Sequence, residues 1–363
     1  MRGFGPCRIA GTRLRNGSIV SNPLTAVVLA GGQGTRLRPL TDRLPKPVLP
    51  VLNRPFLDYL IERLKNAGVT KVIFAIGYQP EPLVERYGRG KGFGVEIDYA
   101  VEDSPLGTSG AVRAILPQLT ETFLVLNGDV VTSVDLRPMI DDHIERREFA
   151  TIAIHEEADP SRYGVVPIDG EGYVLRFVEK PKGPLFPAKT VNSGVYVLEP
   201  EALRFVADGQ PSMFERDLFP NMLRMNMQVH SFRWDGYFLD MGTPESYLAL
   251  NRDFLTGAAP EWHKPNNGPS LGNNVSIAAN AKVTGPVALG DDVSLEGSAV
   301  VTGPAVLGPG CIVEDGATVQ GSVLWDGVRV GHGAQLIGTV IGSQVSIAPG
   351  ATHGAGTIIA SAG

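Results

Sequence analysis

The feature that most restricts this chain is a six-residue period in its last quarter. Apolar residues recur at Leu271, Ile277, Val283, Leu289, Leu295, Val301, Leu307, Val313, Val319 and Trp325. Four places after each stands a smaller residue: Val275, Ala281, Val287, Val293, Ala299, Ala305, Cys311, Ala317 and Val323, until Arg329 breaks the row. Two five-residue steps then reset the frame, giving Val330 with Leu336, then Ile341 with Ile347. Gly272, Gly290 and Gly308 repeat three hexapeptides apart. Such a repeat specifies a parallel β-helix: each side of a triangular prism takes one large inward residue, one small one and a tight corner.

Upstream the pattern is different. Leu24 to Ala30 is a continuous apolar run, as a strand buried on both faces should be. Pro55 to Ala67 is predicted as a helix, with Phe56, Leu57, Leu60, Ile61 and Leu64 on one face and Gly68 as its stop. Lys71 to Gly77 is predicted as a second strand, Ser109 to Leu119 as a helix and Phe123 to Asp129 as a third buried strand. This alternation predicts an α/β domain with a mainly parallel sheet flanked by helices. Ligands of such sheets bind beyond the carboxyl ends of the strands, where Gly31, Gly32 and Asp129 fall. Residues 257–270 are rich in Gly, Pro and Asn and read as a linker. The expected organisation is a loose tail (1–22), an α/β domain (23–256), the linker (257–270) and the β-helix (271–363).

The overall charge of -6 excludes nothing but a globally basic, nucleic-acid-binding surface. Cys7 and Cys311 lie far apart in the chain and make no metal or disulfide pattern, in keeping with a reducing cytoplasm. No run is apolar enough to span a membrane. Met1 to Asn22 carries four arginines, no acid and no apolar run of the secretory kind.

The chemistry starts in the segment Leu29 to Thr41, LAGGQGTRLRPLT. A strand runs straight into Gly31, Gly32 and Gly34, whose backbone N–H groups can approach phosphate oxygens closely, and Thr35, Arg36 and Arg38 follow. It is not a Walker A loop, which needs Gly-Lys-Ser/Thr where Gly34-Thr35-Arg36 stands. It is not a dinucleotide fingerprint, whose third glycine is replaced by Leu37. Downstream, Pro45 and Pro47 stiffen the backbone on both sides of Lys46.

Together these segments resemble the signature of the sugar-1-phosphate nucleotidyltransferase family. The resemblance continues, in family order, through Leu106 to Gly110, Asn127 to Val130, Tyr163 to Val166, Glu179 to Pro181, Asn192 to Gly194 and Phe238 to Pro244, covering about Leu24 to Leu255. It implies an enzyme joining a nucleoside triphosphate to a sugar 1-phosphate, with release of pyrophosphate. It also implies roles. Leu29, Ala30, Gly31, Gly32, Gly34, Thr35 and Arg36 would cradle the triphosphate, and Lys46 would lean on the transferring phosphate. Gly107 would sit against the base or ribose. Asp129 and Asp240 would share a Mg²⁺. Gly164, Glu179 and Asn192 would bind the sugar, and Lys180 its phosphate. Arg36, Lys46 and Asp129 are the expected catalytic residues. No general base is expected, because a phosphate monoester with a second pKa near ~6 is largely ionised at neutral pH.

The base is less constrained. Leu29 to Gly32 differs from the pattern of UDP-glucose enzymes. Glu102 stands near where thymidylyl relatives place a glutamine. A carboxylate only accepts hydrogen bonds, which suits the paired N–H donors of guanine. The whole pattern is similar to mannose-1-phosphate guanylyltransferases with a C-terminal β-helix. Glucose-1-phosphate thymidylyl- or adenylyltransferase is the rival reading, and a non-catalytic nucleotide-sugar-binding regulatory subunit a third. The repeat resembles the left-handed hexapeptide β-helix. It is expected to act as an oligomerising scaffold, and the chain as a homo-oligomer without nucleic-acid or membrane partners. A second, acyltransferase activity using His332 or His353 is disfavoured, because no long inserted loop accompanies the repeat.

Overall fold

The computed structural model describes residues 24–42, 44–77, 79–179, 188–265 and 268–360. The expected tail and Lys180 lie outside them. The elements of the α/β domain run β1 (Leu24–Leu29), β2 (Pro50–Val51), β3 (Arg54–Pro55), α1 (Phe56–Asn66), β4 (Val69–Ile76), α2 (Glu81–Tyr87), β5 (Glu96–Val101) and α3 (Gly107–Ala114). Then follow β6 (Phe123–Asn127), β7 (Val130–Thr132), α4 (Leu136–Arg146), β8 (Ala150–Glu156), β9 (Gly164–Val165), β10 (Val178–Glu179) and β11 (Thr190–Leu198). The last four are α5 (Phe219–Arg224), β12 (His230–Arg233), β13 (Phe238–Asp240) and α6 (Pro244–Thr256).

The main sheet has the order β10-β9-β11-β6-β1-β4-β5, with β8 bridging β11 and β12. Strands β6, β1, β4 and β5 are parallel, and β11 turns antiparallel against β6. Strand β1 has β4 on one side and β6 on the other, so the order reverses there and a crevice opens at its carboxyl end. The apolar run of β1 is buried on both faces. Ala26 and Val28 join the core under α1, while Val27 joins the opposite core with Ala111 and Val112 of α3. The α/β class expected from the alternation is borne out. The helix expected over Ser109 to Leu119 instead begins at Gly107 and ends at Ala114, giving way to a 3₁₀ turn at Leu116–Gln118. Pro117 lacks the N–H that a continued α-helix requires.

Residues from Ser270 onward form three parallel sheets of six, five and five short strands wound as a left-handed β-helix. Leu289, Leu295, Val301, Leu307, Val313 and Val319 fill its interior, with Val293, Ala299, Ala305, Cys311 and Ala317 between them. One expectation of the frame is corrected. Leu324, not Trp325, takes the inward place above Leu307. The first five-residue step falls one repeat earlier, from Val319 to Leu324, and the small row continues through Ser322, Val328, Ala334 and Thr339. Buried Ser322 accepts from Thr339 N–H at 3.1 Å and its hydroxyl at 3.2 Å, so a polar pair replaces the expected apolar residues there. Arg329 is then an ordinary exposed residue rather than a break in the row.

Trp325 belongs to a different core. With Ala288, Val306, Val323 and Val340 it forms an apolar stripe on one β-helix face. That stripe is continuous with the α/β core through Tyr247, Leu250 and Phe254 of α6. Helix α6 is held by a capping box between Thr243 and Ser246, with Pro244 in its first turn.

Candidate active site

The glycine loop leaves β1 at the sheet's reversal point. Ala30 N–H donates to the Ala75 carbonyl at 2.8 Å, and Gly128 N–H to the Leu29 carbonyl at 2.9 Å, fixing the loop between β4 and β6. Gly34 has φ +59°, and a Cβ there would lie 2.9 Å from Thr41 Cγ2. Glycine enters that conformation at no steric cost, and its missing Cβ leaves room for Thr41. The Gly34 carbonyl accepts from Thr41 Oγ1 at 2.9 Å and from Leu37 N–H at 2.8 Å, closing the loop into a 3₁₀ turn at Thr35–Leu37.

A cavity of about 330 Å³ lies over this loop. Its wall includes Leu29, Ala30, Gly31, Gly32, Lys46, Glu102, Gly107 and Asp129 of the expected nucleotide residues. Sequence reasoning missed Asn127, Thr108 and Met213, which also line it. Asn127 was within reach, since it precedes Asp129 in a matched motif. Met213 was not, since it arrives from a segment over eighty residues past β6. That segment is tied down by Ser109 and Gly110 N–H groups donating to the Ser212 carbonyl at 3.0 and 3.1 Å.

Lys46 is buried, and its ammonium donates to Asp129 Oδ2 at 2.6 Å and to Asp240 Oδ1 at 3.4 Å. The two aspartates meet because β13 pairs antiparallel with β7 and Met241 N–H donates to the Asp129 carbonyl at 3.0 Å. Arg36 joins this group from the loop: a Cβ on Gly242 would lie 2.6 Å from Arg36 Nη2 and 3.0 Å from Asp240 Oδ1. Two cations and two carboxylates therefore sit at one edge of the cavity. Among the described residues no cluster of three or more His, Cys, Asp or Glu side chains is arranged to hold a metal. A pair of carboxylates nonetheless suits Mg²⁺, which keeps several water or phosphate oxygens and needs few protein ligands.

Glu102 faces the cavity rather than bulk solvent alone. Its Oε2 accepts from Leu106 N–H at 2.8 Å, which anchors the turn into α3, and Oε1 lies next to Gly31. Gly107 opens α3 with φ +70°.

Of the residues expected on the sugar side, Gly164 and Asn192 lie off this wall. Gly164 pairs with Glu179 across β9 and β10. Asn192 donates to the Tyr196 hydroxyl and to Glu215 Oε1, both at 2.8 Å, and its Oδ1 accepts from Gly194 N–H at 2.9 Å. Glu215 rides on a π-helical turn, Phe214–Leu218. The two regions connect at Gly194, where a Cβ would meet Asn127 Nδ2 of the cavity wall at 2.5 Å.

Comparison with known proteins agrees with this architecture. Residues 25–257 match the Nucleotidyl transferase family model, and the chain belongs to that family. Residues 287–357 match the GlmU-like, C-terminal hexapeptide family. The mannose-1-phosphate guanylyltransferase of Mycobacterium tuberculosis is 36% identical over 244 residues, covering 67% of each chain. The mannose-1-phosphate guanyltransferase of Saccharomyces cerevisiae is 35% identical over 266 residues, covering 72% of this chain and 71% of that one. The crystal structure of HddC from Yersinia pseudotuberculosis superposes with a TM-score of 0.56 at 29% identity, covering 64% of this chain and 99% of that one. The resemblance read from the motifs is thus borne out at the level of the family.

Proposed function

We propose that the chain makes GDP-mannose and pyrophosphate from GTP and mannose 1-phosphate. The observation that carries the reaction class is the buried Lys46 ammonium between Asp129 and Asp240 at the edge of a nucleotide-sized cavity. The names of its relatives and the Glu102 carboxylate in the cavity wall favour guanine and mannose.

In this reading the N–H groups of Gly31 and Gly32 and the Arg36 guanidinium hold the triphosphate. Glu102 Oε1 accepts from the guanine edge, and Gly107 lets the base approach the backbone. Gly164, Glu179 and Asn192 hold the sugar, and Lys180 its phosphate. A sugar phosphate oxygen attacks the α-phosphorus in line, the bond to the β-phosphate oxygen breaks, and pyrophosphate leaves. Lys46 and Arg36 offset the charge that gathers there and the repulsion between two anionic substrates. No side chain needs to remove a proton, since the nucleophile is already ionised. Bound by Asp129 and Asp240, Mg²⁺ would supply further charge neutralisation at the phosphates.

We place the protein in the cytoplasm, where nucleoside triphosphates are supplied. None of the helices in the described residues is long and apolar enough to cross a membrane. We further propose that a second copy covers the first β-helix coil. Leu271 and Ile277 there are 54% and 41% exposed, at the open ends of their sheets.

Pyrophosphate release by purified protein, measured with Mg²⁺ across five nucleoside triphosphates and mannose-, glucose- and N-acetylglucosamine 1-phosphate, tests the assignment. Turnover with GTP and mannose 1-phosphate above all other pairs is expected. A dominant dTTP and glucose 1-phosphate pair would overturn the base assignment and keep the class.

A further inference from the structure

The β-helix reaches the catalytic lysine through two side chains. Trp325 Nε1 donates to the Tyr247 hydroxyl at 3.0 Å, and that hydroxyl donates to the Pro50 carbonyl. Tyr247 is fully buried and Trp325 nearly so. Pro50 stands four residues after Lys46, and the stretch between is a tight turn: Val48 N–H donates to Pro45 and Leu49 N–H to Lys46, at 2.9 and 3.1 Å.

The hairpin of β2 and β3 that follows is gripped from the same side. Leu52 N–H donates to Asn251 Oδ1 at 3.0 Å, and Asn251 Nδ2 donates to the Tyr247 carbonyl at 3.0 Å. Asn53 reaches the β-helix directly, donating to the Leu307 carbonyl at 2.9 Å. The early five-residue step explains why Trp325 is available. It puts Leu324 in the interior and leaves Trp325 in the core shared with α6.

We infer that Tyr247 and Trp325 are positioning residues for nucleotidyl transfer, and that the β-helix thereby holds Lys46 in register with Asp129 and Asp240. A buried hydroxyl that both donates and accepts fixes the Pro50 carbonyl from one direction. Prolines 45, 47 and 50 make the intervening backbone stiff enough to pass that constraint on. A misplacement of about 1 Å caused by a change far from the chemistry can cost about a hundredfold in rate. The inference rests on the proposed transfer reaction for its kinetic readout, and has a second readout that does not.

The test uses full-length Tyr247→Phe, Trp325→Phe and the double variant. Tyr247→Phe is expected to lower kcat about tenfold or more while both KM values stay within about twofold. Trp325→Phe should fall between it and the parent. The double variant should be no slower than Tyr247→Phe alone, because Trp325 acts through Tyr247. In parallel, amide exchange at Val48 and Leu49 should quicken about tenfold in Tyr247→Phe, with exchange in β1 and β6 unchanged. Parental kcat in the folded variants, or additive losses, would overturn the inference. If the parent turns over none of the tested pairs, the reaction assignment fails instead, and unchanged exchange at Val48 and Leu49 would still sink the brace.

Discussion

Replacing Lys46 with methionine separates two consequences of its position. Methionine keeps the apolar stem that fills the buried channel and deletes the charge. The ammonium lies 2.6 Å from Asp129 and 3.4 Å from Asp240, with the lysine side chain 7% exposed and each carboxylate 37% exposed. Removing one partner of a fully buried pair costs about 3–5 kcal/mol. Water reaches both aspartates, so screening lowers this to about 1–3 kcal/mol. For a domain of roughly 230 residues, 2 kcal/mol corresponds to a fall in Tm of about 4–8 °C. If the aspartates hold a divalent cation as proposed, it would replace the missing charge, and in Lys46→Met it would no longer compete with an ammonium. At a hundredfold excess over Kd it would return about 2.7 kcal/mol. Scanning calorimetry with EDTA and with Mg²⁺ should therefore show a larger Mg²⁺-induced rise in Lys46→Met than in the parent. Turnover should fall by about 10²–10³, the scale of losing one preorganised donor to the transition state. An unchanged Tm in EDTA, or equal Mg²⁺ shifts in both proteins, would refute the view that Lys46 is the counterion of the two aspartates.

Three further outcomes are expected. Gly107→Ala would place a Cβ 2.6 Å from the Ser212 carbonyl at φ +70°. It should cost about 1–3 kcal/mol, seen by urea unfolding, and raise KM for the nucleotide but not for the sugar phosphate. Glu102→Gln keeps an acceptor for Leu106 N–H, so the turn survives, but it should cut kcat/KM for GTP about tenfold, or 1.4 kcal/mol, more than for dTTP in the same assay. Burial, aided by Arg54, holds the His263 pKa below its ordinary value of 6.5. Folded His263 thus binds its proton less readily than the unfolded chain does, so stability is present above about pH 6.5 and declines as pH falls below it. His263→Phe should flatten that decline in urea titrations at stepped pH. His230, also lowered by burial, should leave a residual slope.

Much of this was legible in the sequence because it depends on local rules. The glycine turn after β1, the prolines around Lys46 and the six-residue period each need only neighbours along the chain. The wall expected to hold the nucleotide was accessible in the same way, since Gly31, Glu102 and Asp129 lie just beyond the carboxyl ends of β1, β5 and β6, while Lys46 stood out only by its flanking prolines. Trp325 was misplaced because periodicity admits two frames there. A large apolar residue fits the six-residue count, while the true frame hides a Ser322–Thr339 hydroxyl pair in the interior. Choosing between them needs the α6 surface, which no local pattern reveals. The same holds for Met213 and Glu215: their contacts with the Gly107 turn and with Asn192 bridge chain separations that motif spacing does not encode.

The apolar stripe on the β-helix face also orders events during synthesis. The α/β domain is translated whole before the first of Ala288, Val306, Val323, Trp325 and Val340 appears. Until then the outer side of α6 and the β2–β3 hairpin faces solvent with its apolar residues bare, a surface of the kind that draws nascent chains into aggregates or onto chaperones. A ribosome that pauses between residues 257 and 340 would keep that apolar surface uncovered for longer, so slow codons in that stretch would lower soluble yield more than slow codons elsewhere.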